Sequence, residues 1–411
     1  MNATLDTQPR MESTQDYERD VLPRIILGSG FQPDYVREVA NAYARIGKRI
    51  QVVGGDMHAA LAFEDGVTLL NYRGNDKRET SAVRELLKLA AYYGRLLRFV
   101  AASPCPVVYD VSIGRPLLRC LLMYSMFRLL GKRIIYTAHN ILPHDGPTLL
   151  NRIIYRIIYR ALTDAIIVHG QTLKERLIAE FQVAPDKVHV ISHGTYHPPD
   201  ERNLTRAVAR DRLGLPHEAR VALFFGLQRP YKGTEFALQA LCESPVPGLI
   251  ALIRGDAGDP VYRERLMGLI RKVSLHVTVD ARLEPVPEPE MELLFKASDI
   301  VVLPYLEGSQ SGIQYMAYAY GRPVLASAIG SLGEFIVPGL TGETFPGGDA
   351  SAFVTALRSM VARLEDYDER RIKSTAYTDF SFEAAVRRVD SIFEQLRRPA
   401  GLSAFLGGST P

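Results

Sequence analysis

The sequence has few cysteines and no long apolar run. Its three cysteines, Cys105, Cys120 and Cys242, are widely spaced and odd in number, which argues against a disulfide framework and against a CxxC metal site. No uninterrupted apolar stretch reaches the roughly 18 residues that a transmembrane helix needs. The polar, acidic residues 1–20 do not have the pattern of a signal peptide. We therefore expect a protein of a reducing, cytoplasmic setting.

The chain also lacks a strong charge of either sign. The formal net charge is +3, with 25 Lys and Arg against 20 Asp and Glu in residues 1–200, and 24 against 26 in residues 201–411. This excess is too small to predict nucleic-acid binding, which normally requires a concentrated basic face. A basic first half does suit a surface that meets anionic lipid.

The length of the chain predicts two domains. A chain of 411 residues with 47% hydrophobic content is too long for one ordinary core and fits two domains of roughly 200 residues each. Residues 1–22 are polar without periodicity, and we expect them to be disordered. A strand at 24–27, a glycine turn at 28–30, a helix at 34–46 and a strand at 49–53 then predict the start of an open α/β sheet. The Gly28 and Gly30 pair lacks the third glycine of a dinucleotide fingerprint, so it predicts a tight turn rather than an NAD site.

Three long helical segments in the first half mix leucine, aromatic and arginine residues. They are predicted at 81–102, 115–130 and 149–162, and the last has arginines at four-residue spacing, Arg152, Arg156 and Arg160. One interpretation is that these helices cover the sheet and carry a solvated arginine edge. The other is that they form a membrane-surface face that receives a lipid-linked substrate. Both interpretations stay open, and each could apply to different helices.

Histidines follow the predicted strands of the first half. The strand 133–138 runs directly into His139, and in open α/β sheets the ligand lies beyond the carboxyl ends of strands. His139 is therefore a candidate functional residue, although a structural hydrogen-bonding role is the alternative. His144 and Asp145 lie in the loop that follows. His169 also ends a strand, but Gly170 and a helix follow at once, which makes it the weaker candidate.

A second α/β unit starts after Pro198 and Pro199. A strand at 221–225 leads into the turn 226–233, which contains Arg229 and Lys232 between two glycines. Further strands are predicted at 249–254, 277–279 and 300–303, and the last precedes a Gly- and Ser-rich turn and a helix at 313–320. A helix start with small residues in front of it is a ready phosphate site. Two cations opposite it would clamp a diphosphate, whereas the alternative is two solvated loop cations.

Five segments of the second half resemble, in order and spacing, the second domain of the group 1 glycosyltransferases, which are retaining enzymes of the GT-B fold. The segments are 225–233, 299–304, 321–324, 330–334 and 339–342. Any one of them would be a weak signal, but five in order over about 120 residues are specific. The first half is similar in layout and in His139-Asn140, and 380–383 is similar to the family's C-terminal segment.

The resemblance implies two Rossmann-like α/β domains that face each other across a cleft, with a C-terminal helix packing back on the first domain. We predict an acceptor-binding domain at 23–198, a donor-binding domain at 199–380, the returning helix at 381–397 and a flexible tail at 398–411. The implied reaction moves a hexosyl unit from a UDP- or GDP-sugar to a lipid-linked or polysaccharide acceptor with retention. We expect a role in cell-surface polysaccharide synthesis, at the inner face of the membrane.

The resemblance also assigns roles to residues. Lys232 with Arg229 would hold the donor diphosphate, together with the turn of Ser309, Gln310, Ser311 and Gly312. His139 would lie at the reacting sugar, and the acceptor side would include Gly30, Asn140, His144 and Asp145. Because the departing diphosphate gains negative charge, cations belong beside it, and neither a metal nor another cofactor is required. The DxD sequence Asp366-Tyr367-Asp368 lies in a highly charged helical stretch and is interpreted as a solvated face.

The sequence departs from the family at its pair of glutamates eight positions apart. Glu307 can stand for the first, which reaches the donor sugar, but the second position is then Tyr315. A register fixed on Gly321 and Pro323 gives Gly308 and Met316 instead, so neither supplies the ribose carboxylate. Gln314 and Glu334 are candidates for that contact. A nucleotide-sugar epimerase, which needs paired acid and base carboxylates, and a non-catalytic binding protein remain alternatives.

Overall fold

The computed structural model describes residues 22–28, 32–75, 81–111, 117–142, 148–197 and 204–397. These residues form two parallel sheets, one of seven strands and one of six, with helices connecting most successive strands. Short runs rich in Val, Ile and Leu, buried along their whole length, form the central strands, as parallel sheets covered on both faces require. The predicted α/β class with two Rossmann-like domains is therefore confirmed.

The first sheet has the strand order β3-β2-β1-β4-β5-β6-β7. Ile26 of β1, an inner strand, pairs with Val52 of β2 on one side and with Tyr109 of β4 on the other. The strands are β1 (Arg24–Leu27), β2 (Ile50–Gly54), β3 (Val67–Asn71), β4 (Val107–Asp110), β5 (Arg133–Thr137), β6 (Ala165–Val168) and β7 (Val188–Val190).

Six α-helices accompany these strands in the described part of the chain. They are α1 (Pro33–Arg45), α2 (Asp56–Ala59), α3 (Ala82–Ala102), α4 (Leu117–Leu129), α5 (Leu149–Ile157) and α6 (Gln171–Phe181). The helix predicted at 149–162 is α-helical only to Ile157 and continues as a π-helical turn, Ile158–Leu162. A 3₁₀ turn, Pro185–Lys187, precedes β7.

The second sheet has the strand order β10-β9-β8-β11-β12-β13. Its strands are β8 (Arg220–Phe225), β9 (Leu249–Arg254), β10 (Thr278–Arg282), β11 (Ile300–Leu303), β12 (Val324–Ser327) and β13 (Gly342–Phe345). Its α-helices, within the described ranges, are α7 (Arg206–Leu213), α8 (Thr234–Glu243), α9 (Pro260–Val273), α10 (Glu288–Ala297), α11 (Gly312–Ala319), α12 (Ala350–Ala362), α13 (Glu369–Thr378) and α14 (Phe382–Arg397).

The chain divides into two compact units, and each draws on separate segments. Among the described residues, unit 1 comprises 22–137, 148–166 and 389–397, and unit 2 comprises 138–142 and 167–388. This division differs from the predicted boundary at 198, because the segment 167–197 belongs with unit 2. Within that unit, the backbone N–H of Thr195 donates a hydrogen bond to the Phe380 carbonyl at 2.7 Å. The predicted acceptor and donor roles of the domains stay predictions.

The second half of α14 packs within unit 1, as the sequence predicted for the returning helix. Arg24 at the start of β1 is 1% exposed. Its guanidinium donates to Asp390 at 2.9 Å and to Glu394 at 2.5 Å, and it lies 4.8 Å from the ring centre of Phe393. A buried arginine of the first strand thus anchors the last helix.

Candidate active site

The first candidate loop follows β8 and is held by a buried glutamine. Gln228 donates from its side chain to the Gly226 carbonyl at 2.9 Å and accepts from the Thr234 hydroxyl at 2.7 Å. Its backbone N–H donates to the Asp256 carbonyl at 2.8 Å. Gly233, at φ 70°, starts α8, and a Cβ there would lie 1.8 Å from the Pro304 carbonyl oxygen. Only glycine fits this approach, so the loop has one defined shape.

Both predicted cations lie on this loop, but their surroundings differ. The Lys232 ammonium lies 5.3 Å from the ring centre of Tyr305. Burial lowers the pKa of Lys232; the neighbouring Tyr231 opposes this shift, and Arg229 adds to it. The Arg229 guanidinium instead donates to the Ala257 carbonyl at 2.5 Å, over Gly258. Lys232 is therefore the cation that lies beside the second loop, and Arg229 braces the loop after β9.

The second candidate loop, residues 304–311, follows β11 and is attached to the first. The Leu306 N–H donates to the Tyr231 carbonyl at 2.7 Å. The Tyr305 hydroxyl and the Ser311 hydroxyl are 2.9 Å apart, and Ser311 accepts from the Ile313 N–H at 3.3 Å. Ser311 is thus the N-cap of α11, in the way that serine hydroxyls satisfy the first amides of helices. The helix start and Lys232 are joined by this short chain of contacts.

Two residues of the predicted phosphate turn have further features. The Ser309 carbonyl accepts from the Ser331 N–H at 2.8 Å, and Gly330 approaches so closely that its Cβ would lie 2.4 Å from the Gly308 carbonyl oxygen. Within the part of the chain that the structure describes, the side-chain carbonyl of Gln310 is buried without a hydrogen-bond partner. A buried polar atom of this kind calls for an explanation, and a bound ligand would supply a donor to it.

Three histidines of unit 2 form a cluster. The ring centres of His139 and His169 are 5.0 Å apart, those of His169 and His193 are 5.3 Å apart, and those of His139 and His193 are 6.1 Å apart. Burial lowers the pKa of His169 to about 4, against the opposing hydrogen bond of its Nδ1 with the Ile191 carbonyl. Burial, with His169 and His139 nearby, lowers the pKa of His193 well below its usual value. The buried pair is neutral at pH 7.

This cluster meets the first turn of α11, which follows the second loop. The rings of His193 and Tyr315 are stacked, 5.5 Å apart at 20°. A Cβ on Gly312 would lie 3.8 Å from His193 and 3.7 Å from Tyr196. His139, predicted as a site residue, thus belongs to the same cluster as the histidine beside the N-terminus of α11. Sequence reasoning did not select His193, although His193-Gly194 follows a strand much as His139 does.

The candidates for the ribose carboxylate have other contacts. Tyr315, eight positions after Glu307, is buried against His193. The Gln314 amide donates to the Tyr318 hydroxyl at 3.1 Å. The Glu334 carboxylate accepts from the backbone N–H groups of Gln171 at 2.5 Å and Thr172 at 2.8 Å, at the start of α6. Glu307 is exposed, with its N–H 3.3 Å from the Tyr231 carbonyl.

The remaining predicted residues are Gly30, Asn140, His144, Asp145 and the DxD sequence. Gly30, His144 and Asp145 fall outside the described residues. Asn140 is half-buried beside His139. In the DxD sequence, Asp366 ends the 3₁₀ turn Leu364–Asp366, and Asp368 accepts from the Arg371 N–H at 2.8 Å as the N-cap of α13.

Two family models match the chain. The model described as Glycosyl transferases group 1 matches residues 219–363, and the model described as Glycosyltransferase Family 4 matches residues 33–196. The chain belongs to the group 1 glycosyltransferases. The predicted family is therefore confirmed, and the protein is a glycosyltransferase. Both candidate loops lie inside the group 1 match.

Several curated relatives of this glycosyltransferase share the name D-inositol 3-phosphate glycosyltransferase. The D-inositol 3-phosphate glycosyltransferase of Corynebacterium efficiens is 27% identical over 351 residues, which cover 79% of this chain and 78% of the relative. The enzyme of the same name from Corynebacterium glutamicum strain R is 28% identical over 324 residues, covering 74% and 73%.

Solved structures with a similar fold include two bacterial proteins. Sucrose-phosphate synthase from Thermosynechococcus elongatus superposes with a TM-score of 0.69 at 17% identity, over 91% of this chain and 99% of that one. HepE of Anabaena in complex with UDP-glucose gives a TM-score of 0.68 at 17% identity, over 90% and 99%. At these identities the similarity shows the GT-B fold of the glycosyltransferase.

Proposed function

We propose that this glycosyltransferase moves a hexosyl unit from a UDP- or GDP-sugar to a lipid-linked or polysaccharide acceptor, with retention of anomeric configuration and without a metal. The observation that carries the proposal is the attachment of the Lys232 loop to the N-terminus of α11 through Tyr231 and Leu306. It brings a fixed ammonium and a helix N-terminus to one place. HepE, which has the same fold, was solved with UDP-glucose, in line with a nucleotide-sugar donor.

The electrostatics of this site suit departure of a nucleoside diphosphate. Breaking the bond between the sugar and the diphosphate leaves negative charge on the diphosphate oxygens and positive charge on the sugar ring. The Lys232 ammonium, which is half-buried, and the amides at the start of α11 would stabilise the developing negative charge. The neutral histidine pair adds no like charge beside the cationic sugar ring. Charge stabilisation of this kind is worth most in the transition state, where the charge is largest.

The relatives and the charge of the first half of the chain guide the choice of acceptors to test. Relatives named D-inositol 3-phosphate glycosyltransferase make that small phosphate an acceptor to test beside lipid-linked and glycan acceptors. The basic first half of the chain suits an acceptor presented at an anionic membrane surface. Among the described residues, no helix is long and apolar enough to span a membrane. Cell-surface polysaccharide synthesis at the inner face of the membrane is the role we propose.

The test is a turnover assay with separated acceptors. Purified protein is mixed with UDP- and GDP-sugars, alone or with a lipid-linked acceptor, a glycan or D-inositol 3-phosphate. Mass spectrometry then follows free nucleotide and sugar product, in buffer with and without EDTA. We expect nucleotide release that depends on an acceptor and survives EDTA, and a product whose anomeric configuration, read by NMR, matches the donor. A C2-epimerised donor would instead indicate an epimerase, and donor protection in thermal melts without turnover would indicate a binding protein.

The assignment of Lys232 is tested in the same assay. We expect Lys232→Ala to lower turnover roughly 100- to 1000-fold, because removing one preorganised group that stabilises transition-state charge costs about that much. Lys272→Ala, on the exposed side of α9, is the matched control and should keep wild-type turnover. Wild-type turnover of Lys232→Ala would show that the diphosphate is held elsewhere.

A further inference from the structure

An apolar surface lies on two neighbouring helices of unit 1, α4 and α5, which contact each other. We call it the apolar helix face and define it by Leu122, Met126 and Leu129 of α4 and Leu149, Ile153 and Ile157 of α5. Their side chains are between 41% and 81% exposed. Isolated exposed leucines need no explanation, but a cluster of large apolar side chains on adjacent helices marks an interaction site.

The spacing of these residues shows that the exposure is systematic. In α4 they recur at intervals of four and three, and in α5 at intervals of four, which places each set along one side of its helix. The opposite side of each helix is already buried, by Tyr124 and Phe127 in α4 and by Ile154 and Tyr155 in α5. The exposed set is therefore additional to the core-facing side. A helix that only covers a sheet would present polar residues there.

The two helical segments that carry this face have charges of one sign in their sequence. Residues 117–130 and 149–162 contain five arginines and no acidic residue. Arg128 pairs with Asp164 at 2.6 Å. Arg152, Arg156 and Arg160 are exposed in a row beside the apolar row of α5 and the π-helical turn after it. Arginines next to exposed Leu and Ile match the headgroup and acyl boundary of an anionic bilayer, where phosphates meet apolar chains.

The same charge pattern disfavours a second copy of the chain as the occupant. In a two-fold dimer the same patch meets itself, so the row of Arg152, Arg156 and Arg160 would face an identical row of cations. Like charges placed opposite each other across an interface are costly. A lipid surface has no such conflict, because its charge is opposite in sign.

We propose that the apolar helix face docks on an anionic membrane surface, with its Leu, Ile and Met side chains in the boundary region and the arginines on lipid phosphates. The proposal names the membrane partner of the proposed function and rests on that function only for the lipid-linked nature of the acceptor. Docking by this face would bring the first half of the protein to the surface that presents such an acceptor.

The test is flotation of the full-length protein with vesicles of phosphatidylcholine, with or without phosphatidylglycerol. We expect the wild type to float with the anionic vesicles and to be released by salt. The double variant Leu149→Glu, Ile153→Glu should lose at least about tenfold in bound fraction, because charges replace the inserted side chains. Val261→Glu, Leu275→Glu, which changes two apolar residues of unit 2 that are at least as exposed as Leu149 and Ile153, is the matched control and should float like the wild type.

A second variant keeps the result independent of any folding defect. Arg152→Glu, Arg156→Glu leaves the apolar row intact and should lose binding only to anionic vesicles, whereas Arg271→Glu, Lys272→Glu on α9 should not. Failure of the wild type to float, or unchanged flotation of both face variants, would overturn the proposal. So would a wild-type dimer in sedimentation that the face variants convert to a monomer, since a second copy would then cover the face.

Turnover with a water-soluble acceptor separates this proposal from the proposed function. The face variants should keep wild-type turnover in solution, because none of the changed residues belongs to the loops of the candidate active site. Flotation without any turnover by the wild type would count against the proposed function and leave membrane docking supported. Turnover without flotation would support the proposed function and count against membrane docking by this face.

Discussion

His169 and His193 are buried histidines whose pKa values are lowered. Both are buried side by side, and the low dielectric around them disfavours the charged form, which is why the pKa of His169 lies at about 4. In the unfolded chain a histidine titrates near 6.5. Between these two values the unfolded state holds a proton that the folded state does not.

The stability of the protein should therefore fall as the pH drops from about 6.5 towards about 4. In this window the unfolded state binds more protons, so unfolding becomes easier with each added proton, and a difference of about 2.5 pKa units corresponds to about 3 kcal/mol for His169 alone. His169→Asn keeps a donor for the Ile191 carbonyl and removes this titration. Urea unfolding from pH 7 to pH 4 should show a flatter decline for His169→Asn than for the wild type.

The control for this experiment is His276→Asn, because His276 is exposed. Its pH profile should follow that of the wild type. An unchanged slope in His169→Asn would mean that the buried histidine does not resist protonation in the folded protein.

Local signals predicted some site residues and could not predict others. Lys232 and the turn at 308–312 could be predicted from the sequence. In each segment, glycines lie within a few positions of a predicted helix start, and the first segment also contains the lysine. The stacking of His193 on Tyr315 joins residues more than a hundred positions apart, and no local pattern encodes it. The same holds for Glu334, whose contact with Gln171 and Thr172 depends on tertiary packing alone. The sequence could not predict the direction of the Arg229 side chain either, because a long side chain on a loop has many rotamers.

Among the secondary-structure elements, α6 depends on a distant carboxylate for its N-terminus. Its own N-cap position is Gly170, which has no side chain to accept the first amides. Glu334 supplies the acceptor instead. Burial alone would raise the pKa of Glu334, but hydrogen bonds from Thr172 and Gln171 outweigh it and lower the pKa overall. The charged form therefore stabilises the helix.

Glu334→Gln should destabilise the protein by about 1–2 kcal/mol at pH 7, because it loses the charge beside the helix N-terminus and one of two charge-assisted bonds. The loss should shrink at acid pH, since the contribution of a carboxylate with a lowered pKa disappears as the pH falls through the folded-state value. Thermal melts at pH 7 and pH 4 measure both effects. Glu365→Gln, at an exposed position, should melt like the wild type at both.

The activity of Glu334→Gln tests whether α6 and the phosphate turn are coupled. Ser331 donates to the Ser309 carbonyl, so loosening the 331–334 segment should move the turn and raise the KM for the donor several-fold more than it lowers kcat. A variant that is destabilised yet has wild-type KM would limit Glu334 to a structural role.

The elements themselves were largely predictable where burial is complete. The predicted strands 24–27, 249–254 and 300–303 match the structure to the residue, because a fully buried apolar run has a strong signal. The edge strand β3, Val67–Asn71, was not predicted, and it has no fully buried residue. The change from α- to π-helical geometry at Ile158 could not be predicted either. The apolar periodicity continues through it, because both geometries bury the same side of the segment.

At the scale of the whole molecule, the ion pairs of Arg24 join the first strand and the last helix of unit 1. Removing Asp390 leaves the buried Arg24 with only the part-exposed Glu394 as an ion-pair partner at its guanidinium, and a buried charge that loses a partner costs more than the pair itself contributes. Asp390→Ala should therefore lower the free energy of unfolding by about 3 kcal/mol. Asp379→Ala, at an exposed position, is the control, and both are compared with the wild type by urea unfolding.

The double replacement Arg24→Met, Asp390→Leu should recover most of that stability, because apolar residues of similar volume can replace a buried pair at little cost. If Asp390→Ala unfolds at the wild-type urea concentration, the contact between Arg24 and Glu394 is sufficient to hold the helix.

The anchoring of α14 on β1 has a consequence for how the protein is made. The ribosome delivers Arg24 early, but its partners Asp390 and Glu394 follow only after all of residues 167–388. At a translation rate of roughly 5–20 residues per second, the synthesis of residues 167–388 alone takes about 10–45 s. During it unit 1 lacks its last helix and holds an unneutralised arginine at a site destined for burial. Unit 2 is complete first, so the nascent chain finishes its second half before its first.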